Sequence, residues 1–170
     1  FFYNLFCRIN GVEDRLTYVN DLFKLQQELR NSKRRLVIVN EEIPKPTPEE
    51  IAGIKRSNYA KLDQMILNII GNIQYSANIE LQKIMHKAFI DIILMESQKD
   101  AGNINKLTNK AVYLICWLKR YMPELFSNWK APDIACFIYM GGCRDHNEAL
   151  FISFLAKLPI DVLILCPNLN

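Results

Sequence analysis

The chain has 170 residues, half of them apolar and 23% charged, with a formal net charge of +3. That length supports one domain with a buried core. So weak a positive balance excludes the strongly basic classes that hold nucleic acid or anionic membrane by bulk charge. No apolar run reaches the length needed to cross a bilayer.

Residues 2–9 are rich in aromatics and read as a first strand, which Asn10-Gly11 ends. Asp14 is placed as an N-cap, and Leu16, Val19, Leu22, Phe23, Gln26 and Leu29 follow at helical spacing until Asn31-Ser32. Residues 36–39 read as a second strand, so 2–39 form a strand–helix–strand unit whose crossover is long enough for parallel pairing. Pro44, Pro46 and Pro48 then alternate with Lys45 and Thr47. Prolines fix φ and remove donors, which predicts a stiff connector that closes the first unit at residue 47. Thr47-Pro48-Glu49-Glu50 reads as an N-cap with proline in the first helical position.

Over 48–122 the strand signal disappears. Apolar stripes at i, i+3, i+4 spacing recur, as in Leu81, Ile84, Met85, Ala88, Phe89, Ile92 and Met95, and in Leu107, Ala111, Leu114, Ile115 and Leu118. This predicts an all-helical insertion, with a turn at 100–103 and Pro123 closing the last helix. The second unit spans 134–168: apolar 134–139, a break at Met140-Gly141-Gly142-Cys143-Arg144, helix over 145–158, and apolar 161–166. The expected fold is therefore α/β and Rossmann-like, a parallel four-stranded sheet in the order 2-1-3-4 with a central helical insertion, forming a single domain over 1–170. In such sheets ligands bind where the strand order reverses, beyond the carboxyl ends of the strands.

Two turns are expected to meet at that point, one with Asn10 and Gly11, the other with Gly141, Gly142 and Arg144. Glycines admit a ligand close to the backbone, the following helix would offer free N–H groups, and arginine offers a fork for phosphate or carboxylate. The expected ligand is a nucleotide or a phosphorylated small molecule. The competing reading is a tight turn in which Asp145 caps the helix, with Glu148 completing a capping-box spacing. His146 is a candidate acid or base, Cys143 a candidate low-pKa thiol before a helix, and Glu41, Glu42 and Asn168 candidates by their place after strands. His86 reads as structural or solvated, and Trp117 and Trp129 as packing residues. Five cysteines without C-x-x-C spacing and only two histidines give no zinc pattern, and they suit a cytoplasmic setting. The opening at Phe1-Phe2-Tyr3 and the end just past a strand lead to the expectation that this is a fragment of a longer protein.

Several stretches together resemble a known family. They are Phe6-Cys-Arg-Ile-Asn-Gly-Val-Glu-Asp14, Ile43-Pro-Lys-Pro-Thr-Pro-Glu-Glu50, Leu107-Thr-Asn-Lys-Ala-Val-Tyr113, Leu125-Phe-Ser-Asn-Trp129 and Gly141-Gly-Cys-Arg144. Asn147-Glu-Ala-Leu-Phe151, Leu158-Pro-Ile-Asp-Val162 and Pro167-Asn168 extend the likeness along the chain. The family is the bacterial components of a "biosynthetic module" encoded in tellurite-resistance and stress-response operons. The resemblance implies a bacterial cytoplasmic protein, partnered by products of the same operon, in the synthesis of a small metabolite or nucleotide-like product. It carries no catalytic residue or cofactor to positions here. Two functions are expected: a nucleotide- or sugar-phosphate-binding domain of a transferase, or a non-catalytic assembly module docking through the helical insertion. No membrane or nucleic-acid partner is expected.

Overall fold

The computed structural model describes residues 2–75, 77–99 and 103–167. Four strands, β1 (Phe6–Asn10), β2 (Leu36–Asn40), β3 (Ala135–Met140) and β4 (Ile160–Cys166), form one sheet. Among the described residues six α-helices accompany them: α1 (Arg15–Asn31), α2 (Pro48–Ala52), α3 (Leu62–Ile69), α4 (Ile79–Lys99), α5 (Ile104–Phe126) and α6 (His146–Leu155). Every strand pairing is parallel.

The strand order is β1-β4-β3-β2, which corrects the expected 2-1-3-4. Burial explains the difference. A strand inside a covered parallel sheet must be apolar on both faces. Ala135 to Tyr139 are all buried, and β4 carries only Asp161 as a charged residue, so these two strands fill the centre. β1 carries Arg8 and Asn10 and is exposed at four of its five positions, so it lies at an edge. β1 and β2 are joined in sequence but sit at opposite edges.

α1 spans this distance across one face. Leu22, Leu25 and Leu29 pack on Cys136, Ile138, Leu163 and Leu165. The chain then returns through β3 and β4 with its helices on the other face, as right-handed crossovers require when the direction reverses. There Phe137 meets the rings of Tyr121 and Phe151, and Trp117 meets Phe151. The helical insertion shares this core, since one buried cluster runs from Val37 and Phe137 through Leu114 to Ile92. The proline connector is fastened to α5: Pro44 O accepts from Trp117 Nε1 at 2.9 Å, and Arg120 grips both Glu50 and the connector carbonyls. Thr47 and Glu50 cap α2 reciprocally, with Pro48 as its first residue.

Three expectations shift. α5 runs through Pro123 to Phe126, where Leu125 and Phe126 are wholly buried; their packing outweighs the lost backbone bond. The first strand begins at Phe6, not at residue 2. The turn expected at 100–103 lies, except for Asn103, outside the described residues.

Candidate functional site

The two glycine turns lie on the same carboxyl edge of the sheet, on either side of β4. Gly11 takes φ 77° and donates its N–H to Cys166 O at 2.7 Å, while Cys166 Sγ donates to Gly141 O at 3.3 Å. Of the residues read as ligand contacts, Asn10, Gly11, Gly141 and Arg144 have partners within the protein. A Cβ on Gly141 would stand 2.6 Å from Glu41 O, so this glycine admits the neighbouring loop's backbone. Glu41 itself takes φ 69° and bonds Met140 O through its N–H at 2.9 Å. Asn10 Oδ1 accepts from Arg8 Nε at 2.9 Å, and the exposed Arg144 pairs with Glu42 at 2.9 Å. Gly142 is exposed.

Glu148 is the joint of this region. Its buried carboxylate accepts from Ile43 N at 3.1 Å, Tyr139 Oη at 2.9 Å and Arg144 N at 2.7 Å. It thereby ties the ends of β2 and β3 to the start of α6. The capping-box reading is half right: Asp145 accepts from Glu148 N at 2.9 Å, but the Glu148 side chain turns inward. Burial and Glu148 raise the Tyr139 phenol above its usual range. Desolvation and Glu148 also raise the Cys143 thiol, which corrects the expectation of a thiolate lowered by the helix. Asn168 lies outside the described residues. His86 bonds Ile73 O at 2.8 Å and is a packing residue.

On the opposite flank of the α6 N-terminus lies a concavity of about 490 Å³, lined by Lys106, Asn109, Lys110, Tyr113, His146 and Asn147. Residues 106, 109, 110 and 113 are spaced i, i+3, i+4, i+7, so they share one stripe of α5. Asn103 caps that helix, accepting from Lys106 N at 3.0 Å. Asp145 caps α6 and sets His146 and Asn147 in its first turn.

Beneath them Glu96 of α4 is wholly buried. Its Oε1 meets Lys99 Nζ at 2.8 Å, and its Oε2 meets Lys110 Nζ at 2.7 Å and His146 Nε2 at 2.6 Å. Burial alone would raise this carboxyl, but Lys110, Lys99 and His146 outweigh burial and hold it at about 2. Glu96 is therefore an anion at any physiological pH and can only accept. His146 Nε2 must carry the proton between them, which leaves Nδ1 of a neutral ring as the acceptor. A buried carboxylate fixing a half-exposed imidazole is the arrangement that orients general bases.

Sequence reading missed Glu96 and Lys110. One signal was present. Glu96 lies four residues after Ile92, on the stripe of Met85, Ala88, Phe89 and Ile92, where periodicity calls for an apolar side chain. Among the described residues no group of three or more acidic, histidine or cysteine side chains is placed to hold a metal ion.

The fold and this concavity define a parallel α/β domain with a helical layer over one face and a lysine- and histidine-lined hollow at its carboxyl edge. The chain belongs to the YceG domain family, whose model matches residues 1–170. That match overturns the resemblance to the "biosynthetic module" family, and the tellurite-resistance and stress-operon setting drawn from it falls with it. No curated protein and no solved structure matches the chain. Among the described residues no helix is long and apolar enough to cross a membrane.

Proposed function

We propose that this domain binds a phosphorylated small molecule in the concavity between α5 and the start of α6, as the substrate-holding part of a transferase. One observation carries the reading: Lys110 and His146, which line an open hollow with Lys106, both bond the buried, ionised Glu96 behind it. The Lys110 ammonium and the His146 ring are fixed in place by Glu96 before any ligand arrives, which lowers the ordering cost of binding. Tyr113 supplies an aromatic wall, and its ring meets Trp117 edge-on at 5.6 Å. His146, held through Nε2, is placed to accept a proton from a ligand hydroxyl through Nδ1. The glycine turns keep a structural part in this reading. Five free cysteines suit a reducing compartment, and we read the domain as cytoplasmic.

The assembly reading finds exposed apolar residues on the helical insertion, at Leu67, Ile79, Leu94 and Met95, and on a second surface as well. Leu16, Val19 and Phe23 form an exposed apolar stripe on α1, and Phe6 and Ile9 are exposed on the edge strand β1.

Isothermal titration with inorganic pyrophosphate and nucleoside diphosphates tests the ligand reading. Saturable binding is expected, weakened roughly tenfold by Lys106→Glu and further by added salt. Absence of binding, or binding indifferent to both Lys106→Glu and His146→Gln, overturns it.

A further inference from the structure

A second concavity lies on the other side of the α5 N-terminal turns. It measures about 460 Å³ and is lined by Arg56, Ser57, Asn58, Asn105, Thr108 and Asn109. Asn109 lines this hollow and the one holding His146, so the two meet at one side chain. The helical step of about 100° explains this: Asn109 lies between the stripe of Lys106, Lys110 and Tyr113 and that of Asn105 and Thr108.

The chemistry of the two hollows differs. The first is lined by two lysines and a histidine. The second offers three carboxamides, two hydroxyls and one guanidinium, with no carboxylate in its lining. Each carboxamide presents both a donor and an acceptor, as a sugar hydroxyl does, so neighbouring amides match neighbouring hydroxyls. Thr108 is already committed, its hydroxyl donating to Ile104 O at 2.7 Å. Among the described residues no side chain bonds the amides of Asn58, Asn105 or Asn109. From residue 105 to residue 110 the α5 axis rises about 8 Å, the scale of one glycosyl unit plus its phosphate.

We infer that the two hollows form one bipartite site for a glycosyl phosphate. The phosphate lies against Lys106 and Lys110, and the sugar ring crosses Asn109 to meet Ser57, Asn58 and Asn105. This rests on the anion reading of the first hollow and adds to it the class of group the phosphate carries. No bond is made or broken in this step.

Competition titration separates the two readings. The probes are inorganic phosphate, glucose 1-phosphate, galactose 1-phosphate and ribose 5-phosphate, tested on the wild-type chain and on the double variant Asn58→Ala, Asn105→Ala. Both positions are exposed, so the fold tolerates the change. Glucose 1-phosphate or galactose 1-phosphate is expected to bind about tenfold tighter than phosphate and than the non-anomeric control ribose 5-phosphate, with the variant losing that preference while phosphate affinity stays within about twofold. A wild-type chain that prefers no sugar phosphate, or a variant that keeps the preference, overturns the inference. If phosphate alone fails to bind but a sugar phosphate binds through Asn58 and Asn105, the sugar subsite stands and the anion reading falls. If nothing binds, both fall.

Discussion

Glu96→Gln is expected to destabilise the protein by about 3 kcal/mol at neutral pH, and the loss should vanish in acid. The carboxyl is depressed from the usual 4.5 to about 2 by Lys110, Lys99 and His146 against the cost of burial. A depressed carboxyl contributes its stability above the unfolded value and loses it as pH falls toward the folded one. The full contribution is thus present above pH 4.5 and fades as pH approaches 2. A shift of that size corresponds to about 3 kcal/mol. In the variant, Lys110, whose side chain is only 11% exposed, faces Lys99 and His146 without the anion that holds them together. Urea unfolding across the acid range reads this directly. Wild-type and variant stabilities should converge as pH is lowered, and a gap independent of pH would contradict the assignment.

Glu148→Ala is expected to cost about 3 kcal/mol, because the Ile43 and Arg144 N–H groups lose their acceptor, while the Tyr139 hydroxyl can turn to Glu41 O or Gly142 O. Ile43 N–H, Tyr139 Oη–H and Arg144 N–H all end on this one carboxylate. Glu148→Gln keeps one acceptor oxygen and should fall between the alanine variant and the wild type. The same change should speed hydrogen exchange at Ile43, since its N–H is held by Glu148 alone. Equal stability of all three proteins would mean that the loops after β2 and β3 are fastened by something other than Glu148.

The apolar runs at 134–139 and 161–166 were enough to place β3 and β4, and the prolines marked the connector. Strand order was not legible in the same way. Local pattern suggested that β1 and β2, joined by one helix, lie side by side. The deciding fact is that Arg8 and Asn10 make β1 an edge strand, while β3 and β4 can be buried on both faces. Continuation of α5 past Pro123 has a similar cause, the burial of Leu125 and Phe126, which no local propensity contains. For the site, Gly141 was read as room for a ligand, yet the room is taken by the Glu41 carbonyl. His146 was visible because it stands at a helix start. Glu96 and Lys110 were not, because three separate helices bring residues 96, 110 and 146 together, and only packing does that.

The α6 N-terminus has two flanks, and the account stands on which of them receives an anion. On one, Asp145, Glu148 and Glu42 already answer the local N–H groups and Arg144. On the other, Lys110 and His146, both held by Glu96, line an open hollow with Lys106. Chemical-shift mapping with inorganic pyrophosphate decides between them. Saturable shifts of the His146 imidazole and the side-chain amides of Asn109 and Asn147, with Gly11 and Gly142 unmoved, are the predicted result. Shifts at Gly11 and Gly142 with His146 silent, or no saturable shift anywhere, would contradict it.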